Sequence, residues 1–122
     1  MTLDEIIQKA ADEPFARAEV DAVCKECGLT VPELCDAISR RIVRDYASGE
    51  LTFVFCDGVM NNLFSFMTVT HGEAPPPYTW SVFAAFDEGE YTHPSDPPGS
   101  SAEDLYTKPM IAKLLADDHQ IT

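Results

Sequence analysis

The stretch LTFVFCDGVMNNLFSFM, residues 51–67, decides the fold of this chain. Its first five residues would suit a strand, since they are mostly aromatic and β-branched. Over four turns, however, apolar residues recur at helical spacing, namely at Phe53, Cys56, Met60, Leu63 and Met67. Thr52 stands where a helix N-cap belongs. Further apolar residues on the other faces are typical of a helix that other helices surround, so we predict a central apolar helix over residues 52–67.

The sequence before this stretch contains clear helix start signals. Capping boxes, in which a threonine and a glutamate three residues later satisfy each other's backbone amides, occur as Thr2 with Glu5 and as Thr30 with Glu33. Between them, Asp12 or Glu13 ahead of Pro14 predicts the start of another helix, and Gly28 its end. We expect three amphipathic helices in this half.

The second half alternates proline-rich connectors with apolar segments. Residues 71–77 and 91–101 are rich in proline and glycine and predict irregular connectors. Residues 79–88 fit either a strand or a short helix ended by Gly89; we favour the helix. Pro109 can open a final helix. The predicted fold is an all-α, compact, single-domain bundle of about five to six short helices, covering residues 1–122.

Charge is the most unusual property of the chain. Its 122 residues include 8 Lys and Arg against 21 Asp and Glu, giving a net charge of −13. No lysine or arginine occurs between Asp45 and Thr107. Such a balance repels nucleic acid and anionic membranes. A solubilising surface, a basic protein partner and a cation ligand all fit it, and the sequence leaves these alternatives open.

Cysteine usage and hydropathy indicate a cytoplasmic protein with reduced thiols. The chain begins MTLDEII rather than with a basic leader and an apolar run, so export is not expected. No apolar stretch approaches the roughly 18 residues of a membrane span. We expect no membrane association and no cofactor.

The C-x-x-C formed by Cys24 and Cys27 is a spacing used by redox pairs and by half of a zinc site. We place it in the last turn of a helix, where the helix dipole opposes thiolate formation. Cys35 and Cys56 belong to no second C-x-x-C. Core packing is therefore the preferred interpretation of these cysteines.

The segment FDEGEYTHPSD collects five ionisable side chains that we predict to form a partner-binding loop: Asp87, Glu88, Glu90, His93 and Asp96. Carboxylates gathered at a glycine bend also suit a hard divalent cation, for which Asp87, Glu90 and His93 are the weak candidates. The spacing does not match an EF-hand. Alternatively, this segment is only a polar loop that follows the end of a helix and binds nothing.

Polar residues also interrupt the central helix. Asp57 and Asn61 lie four residues apart on one face, and buried groups of this kind need hydrogen-bond partners. We expect Arg41, Arg44 or a backbone amide to supply them. The three histidines, His71, His93 and His119, are isolated in the sequence, and no hydrolase, nucleotide-binding or metalloprotease motif is present. The sequence therefore specifies no enzyme.

Residues 46–67 and 86–115, with the motifs FDEGEYTH and DLYTKPMI, resemble a group of small bacterial helical proteins whose function is not established. The resemblance covers about half of the chain. It implies a family, not a chemistry.

We therefore predict an acidic protein-interaction module for a basic partner, with an immunity or inhibitor protein as its concrete form. That form enters by analogy of size, charge and helicity. One alternative is a divalent-metal-binding protein or metal-dependent enzyme that uses residues 87–96, with or without Cys24 and Cys27. Another is a homo-oligomeric structural or regulatory subunit in which Trp80, Phe83 and Phe86 form the contact.

Overall fold

The computed structural model describes the backbone of residues 1–121 and the side chains of residues 1–118. Six α-helices follow one another along the described residues: α1 (Leu3–Ala10), α2 (Arg17–Cys27), α3 (Val31–Ala47), α4 (Phe53–Ser65), α5 (Pro77–Glu88) and α6 (Lys108–Ile121). A π-helical segment, Phe66–His71, continues α4, and a second, Glu103–Thr107, leads into α6. The described backbone contains no strand. The predicted all-α bundle is confirmed.

Most helix starts follow the signals in the sequence. Thr2 and Thr30 form their capping boxes with the glutamates three residues later. The hydroxyl of Thr52 accepts a hydrogen bond from the amide of Phe55 at 3.2 Å and caps α4. The predicted start of α2 is wrong, because α2 begins at Arg17 after Ala16, which offers no side-chain cap. Residues 12–16 instead form the connection to α1.

The α4 helix occupies the centre of the bundle and packs against α1, α3 and α5. Its buried side chains are Cys56, Val59, Met60 and Leu63. The central position is thus confirmed. One edge of the helix nevertheless faces water, since the Val54 side chain is 79% exposed. The prediction that other helices surround α4 on all sides therefore holds for most of its faces but not for the one that carries Val54.

A close backbone approach fixes α1 against α4. A Cβ atom placed on Gly58 would lie 2.5 Å from the carbonyl oxygen of Ala11, so only glycine fits there. Next to it, Asn62 Nδ2 donates to the carbonyl oxygens of Ala10 at 2.7 Å and Glu13 at 3.1 Å. The Ala10 carbonyl belongs to the last turn of α1, where intrahelical partners run out, and the Glu13 carbonyl belongs to the connection that follows. The polar Asn62 thus joins two helices.

Residues 79–88, whose sequence fits both a strand and a helix, lie within the α5 helix, as we favoured. Phe86 of α5 is fully buried and belongs to the core, which corrects its assignment to a contact patch with Trp80 and Phe83. Gly89 ends α5 in a right-handed conformation, with φ −83°, which any residue can adopt. Glycine is required at this position because there is no room for a side chain. A Cβ there would overlap the hydroxyl of Thr107.

The C-x-x-C lies in the last turn of α2, as predicted, and Gly28 follows it in the left-handed conformation with φ 68°. Cys24, Cys35 and Cys56 are buried, whereas Cys27 is exposed. The packing interpretation is therefore wrong for Cys27. All four thiols are free. Within residues 1–121, no helix combines the length and apolar character needed to cross a bilayer.

Candidate functional site

Three carboxyl groups lie near one another where the middle of α4 passes the end of α5. Asp57 comes from α4, Asp87 from the last turn of α5, and Glu90 from the turn that follows. Asp57 and Glu90 contact each other through their carboxyl groups, and Asn61 Nδ2 donates to Glu90 Oε2 at 2.9 Å. We call Asp57, Asp87 and Glu90 the carboxylate cluster. Its electrostatics distinguish it from an ordinary acidic surface.

Burial raises the pKa of Asp57 to about 7, and the adjacent Glu90 and Asp87 add to the shift. The Oδ1 atom of Asp57 is buried and has no hydrogen-bond partner. The pKa of Asp87 is also raised, first by burial and then by repulsion from Glu90 and Glu88. Two carboxyl groups in contact share a proton more readily than they both ionise. The cluster therefore holds a proton near neutral pH.

The other predicted loop residues have a different role. The Asp96 carboxylate accepts hydrogen bonds from Tyr106 and from the backbone amide of His93 at 2.8 Å, and these lower the pKa of Asp96. His93 Nε2 lies 3.0 Å from Glu88 Oε2, but the geometry does not form a hydrogen bond. Asp96 and His93 thus close the loop on itself. Of the five predicted site residues, only Asp87 and Glu90 belong to the carboxylate cluster.

Tyr91 adds an exposed aromatic ring beside the cluster. Its side chain is half-exposed, and Glu88 first, then burial, Asp87 and Glu90 raise the pKa of its hydroxyl. Its ring packs on that of His93 with centroids 4.9 Å apart. Sequence analysis did not single out Tyr91, although it stands within FDEGEYTH. Tyrosine is enriched among the residues that contribute most to protein–protein binding.

The arginines of α3 do not reach the carboxylate cluster. Arg41 pairs with Asp4, Arg44 Nε lies 2.9 Å from Asp45, and Arg40 pairs with Asp118 at 2.7 Å. The prediction that Arg41 or Arg44 balances Asp57 is therefore wrong. Among the described side chains, none of the three cluster carboxyls pairs with a lysine or arginine.

The histidines and cysteines do not complete a metal site. In the part of the chain described with side chains, no three His, Cys, Asp or Glu groups are placed to hold a metal ion. His71 Nδ1 lies 3.1 Å from Arg17 Nη2, and the nearest carboxylate to the His71 ring is that of Glu73. Among the described side chains, His71 therefore shares no contact with the weak metal candidates Asp87, Glu90 and His93. The side chain of His119 lies outside the described residues. The metal alternative stays a prediction, which elemental analysis of untagged protein tests.

Comparison with other proteins assigns neither a family nor a function to this chain. No protein-family model, no curated protein and no solved structure matches the chain. The functional argument is therefore drawn from the side chains themselves.

Proposed function

We propose that this protein binds a basic protein partner through the carboxylate cluster and the adjoining Tyr91. The observation that carries the proposal is a set of three neighbouring carboxyls that keeps a proton near neutral pH and has no lysine or arginine partner among the described side chains. A lysine or arginine from another molecule relieves that repulsion. Complementary charge also speeds association.

Proton linkage makes the proposal specific. A cation next to the cluster favours the ionised form of Asp57 and so lowers its pKa from about 7. Binding near pH 7 is therefore expected to release up to about half a proton per complex. Calorimetry in two buffers of different ionisation enthalpy measures that release directly.

The concrete form we propose is an immunity or inhibitor protein, which masks a basic protein by covering it. Small size, helical build and a net charge of −13 support this form. The cytoplasm is the proposed location, because all four thiols are free. The same net charge argues against nucleic acid as the partner.

Partner capture with paired baits tests the proposal. The first bait is the unaltered protein, the second carries Asp87→Asn with Glu90→Gln, and the control carries Glu26→Gln with Glu50→Gln. Both double variants remove two negative charges, but Glu26 and Glu50 are exposed and outside the cluster. We expect a basic protein that is retained at low salt, released at high salt, kept by the control and lost by the cluster variant. Identical capture by all three baits contradicts the proposal, as does the absence of any salt-sensitive partner.

A second candidate, a homo-oligomer, is favoured by one exposed aromatic group. Trp80 is half-exposed, its ring centroid is 5.3 Å from that of Phe64, and Phe83 stacks on Phe64 at 4.2 Å. Met110 and Leu114 extend this patch across a groove of about 430 Å³. Sedimentation of the protein and of Trp80→Ala over a range of concentrations tests it. A monomer at every concentration eliminates this candidate.

A further inference from the structure

A separate concave site lies between the end of α3, the start of α4 and α6. It is a cavity of about 690 Å³, within the size range of small-molecule sites. Its walls are mainly apolar and include Leu51, Phe53, Ile111 and Leu115. None of the residues of the carboxylate cluster lines it. Any ligand of this cavity would therefore bind separately from a partner of the carboxylate cluster.

One wall of the cavity is aromatic and firmly held. The rings of Tyr46 and Phe53 both line it, and both pack on the fully buried Phe86, with centroid distances of 5.1 and 5.8 Å. Rings fixed in this way present a flat apolar face at little cost in conformational entropy. An aromatic face also attracts an organic cation.

A carboxylate stands at the same wall. The π-helical segment Glu103–Thr107 places the Glu103 side chain at the cavity, where its Oε2 accepts a hydrogen bond from the Tyr46 hydroxyl. Oε1 is left to accept from a ligand, since a carboxylate has two oxygens with several acceptor sites. Burial and Glu103 together raise the pKa of Tyr46, which keeps the hydroxyl as a donor. The Glu103 carboxylate is thus oriented before any ligand arrives.

The charge around the cavity selects the sign of the ligand. Lys108 also lines it, but its ammonium lies 2.6 Å from Asp104 Oδ1 and is matched by that carboxylate. Lys108 lies near Glu103 as well, but it supplies one ammonium against the two carboxylates Glu103 and Asp104, which leaves a net negative charge beside an apolar space. The net charge of the chain, −13, acts in the same direction.

We infer that this cavity binds a small amphipathic amine, whose apolar body lies against Phe53 and Leu115 and whose ammonium meets Glu103. The apolar lining accounts for the body of the ligand, and the carboxylate accounts for its charge. The inference is independent of the proposed protein partner, which uses other residues.

A matched ligand series tests the inference by calorimetry on the full chain. The probes are 4-phenylbutylamine, 4-phenylbutanol and 4-phenylbutyrate, which share one apolar body and differ in the end group. We expect the amine to bind at least about tenfold more tightly than the alcohol, because the alcohol can still donate a hydrogen bond to Glu103 but lacks the positive charge that forms an ion pair with it. We expect no binding of the carboxylate. Equal affinity for amine and alcohol overturns the inference.

Variants then locate the site. Glu103→Gln is expected to weaken the amine about tenfold and to leave the alcohol unchanged. Glu26→Gln, which removes an exposed charge elsewhere, is expected to leave both unchanged. Ala112→Phe, which puts a ring into the cavity, is expected to abolish binding of both. Far-ultraviolet circular dichroism checks that each variant is folded. Amine binding that survives both Glu103→Gln and Ala112→Phe overturns the inference.

Discussion

Replacing Asp57 with asparagine is expected to stabilise the protein, and to do so clearly more at pH 8 than at pH 5. The folded-state pKa of Asp57 is raised from 3.8 to about 7. Between these values the folded chain holds more protons than the unfolded chain, so the free energy of unfolding falls as the pH rises. Above the folded-state pKa the loss is complete. Asparagine does not ionise and can donate to Glu90, so it avoids the loss.

The size of the effect follows from the shift. A shift of about three units corresponds to about 4 kcal/mol for a group fully removed from water. Asp57 keeps partial contact with solvent, and screening reduces the expected gain at pH 8 to about 1–2 kcal/mol. With a urea m-value of about 1.5 kcal/mol per molar, the unfolding midpoint should rise by about 1 M.

Urea unfolding followed by circular dichroism at pH 5, 6, 7 and 8 measures this difference. Glu26→Gln is the control, because it removes one negative charge from an exposed position outside the cluster. The reasoning is refuted if Asp57→Asn shifts the midpoint equally at pH 5 and pH 8. It is also refuted if Glu26→Gln reproduces the same pH dependence.

Three further predictions concern packing and exposure. Gly58→Ala should destabilise the protein by about 1–3 kcal/mol in urea unfolding despite the better helix propensity of alanine, since the added Cβ meets the carbonyl of Ala11; an unchanged midpoint contradicts the close approach. Thr107→Val should cost about 1–3 kcal/mol because it removes the 2.7 Å hydrogen bond to the buried carbonyl of Ala85, whereas Thr107→Ser should cost less; equal losses contradict this role. Cys27 alone should react rapidly with a thiol reagent in the native protein, and Cys27→Ser should abolish that phase; rapid labelling of a second thiol contradicts the burial of the others.

The helices were predictable where local rules decide them. Thr2, Thr30 and Thr52 cap helices through contacts within one turn, and such contacts are visible in sequence. The start of α2 could not be predicted in this way, because the residue before the helix, Ala16, lacks a capping side chain. Tertiary contacts fix the connection from α1 instead. The carbonyls of Ala10 and Glu13 bind Asn62, 49 or more residues away along the chain.

The candidate site was predictable only in part, for a related reason. The spacing in FDEGEYTH placed Asp87 and Glu90 at one helix end, as observed. Asp57 joins them only because α4 packs along α5, a contact that no local pattern encodes. Gly58 and Asn62 brought α1 against the same helix and could not be interpreted before the packing was known. Asp96 was predicted as part of the partner-binding loop, and the hydrogen bond that it accepts from Tyr106 could not be predicted because Tyr106 comes from a later segment.

The placement of charge is the observation that led us to propose a binding role rather than a purely solubilising one. Carboxylates that only solubilise a protein work best when exposed and apart, because ionisation then costs little folding free energy. The carboxylate cluster departs from this, since Asp57 is partly buried, contacts Glu90 and is repelled by Asp87. The arginines of α3 pair with other acids, so the chain does not neutralise the cluster within residues 1–118. In the complex that we propose, a cation from the partner would lower the pKa of Asp57 and recover the lost stability, so the residues that weaken the isolated chain would strengthen the complex.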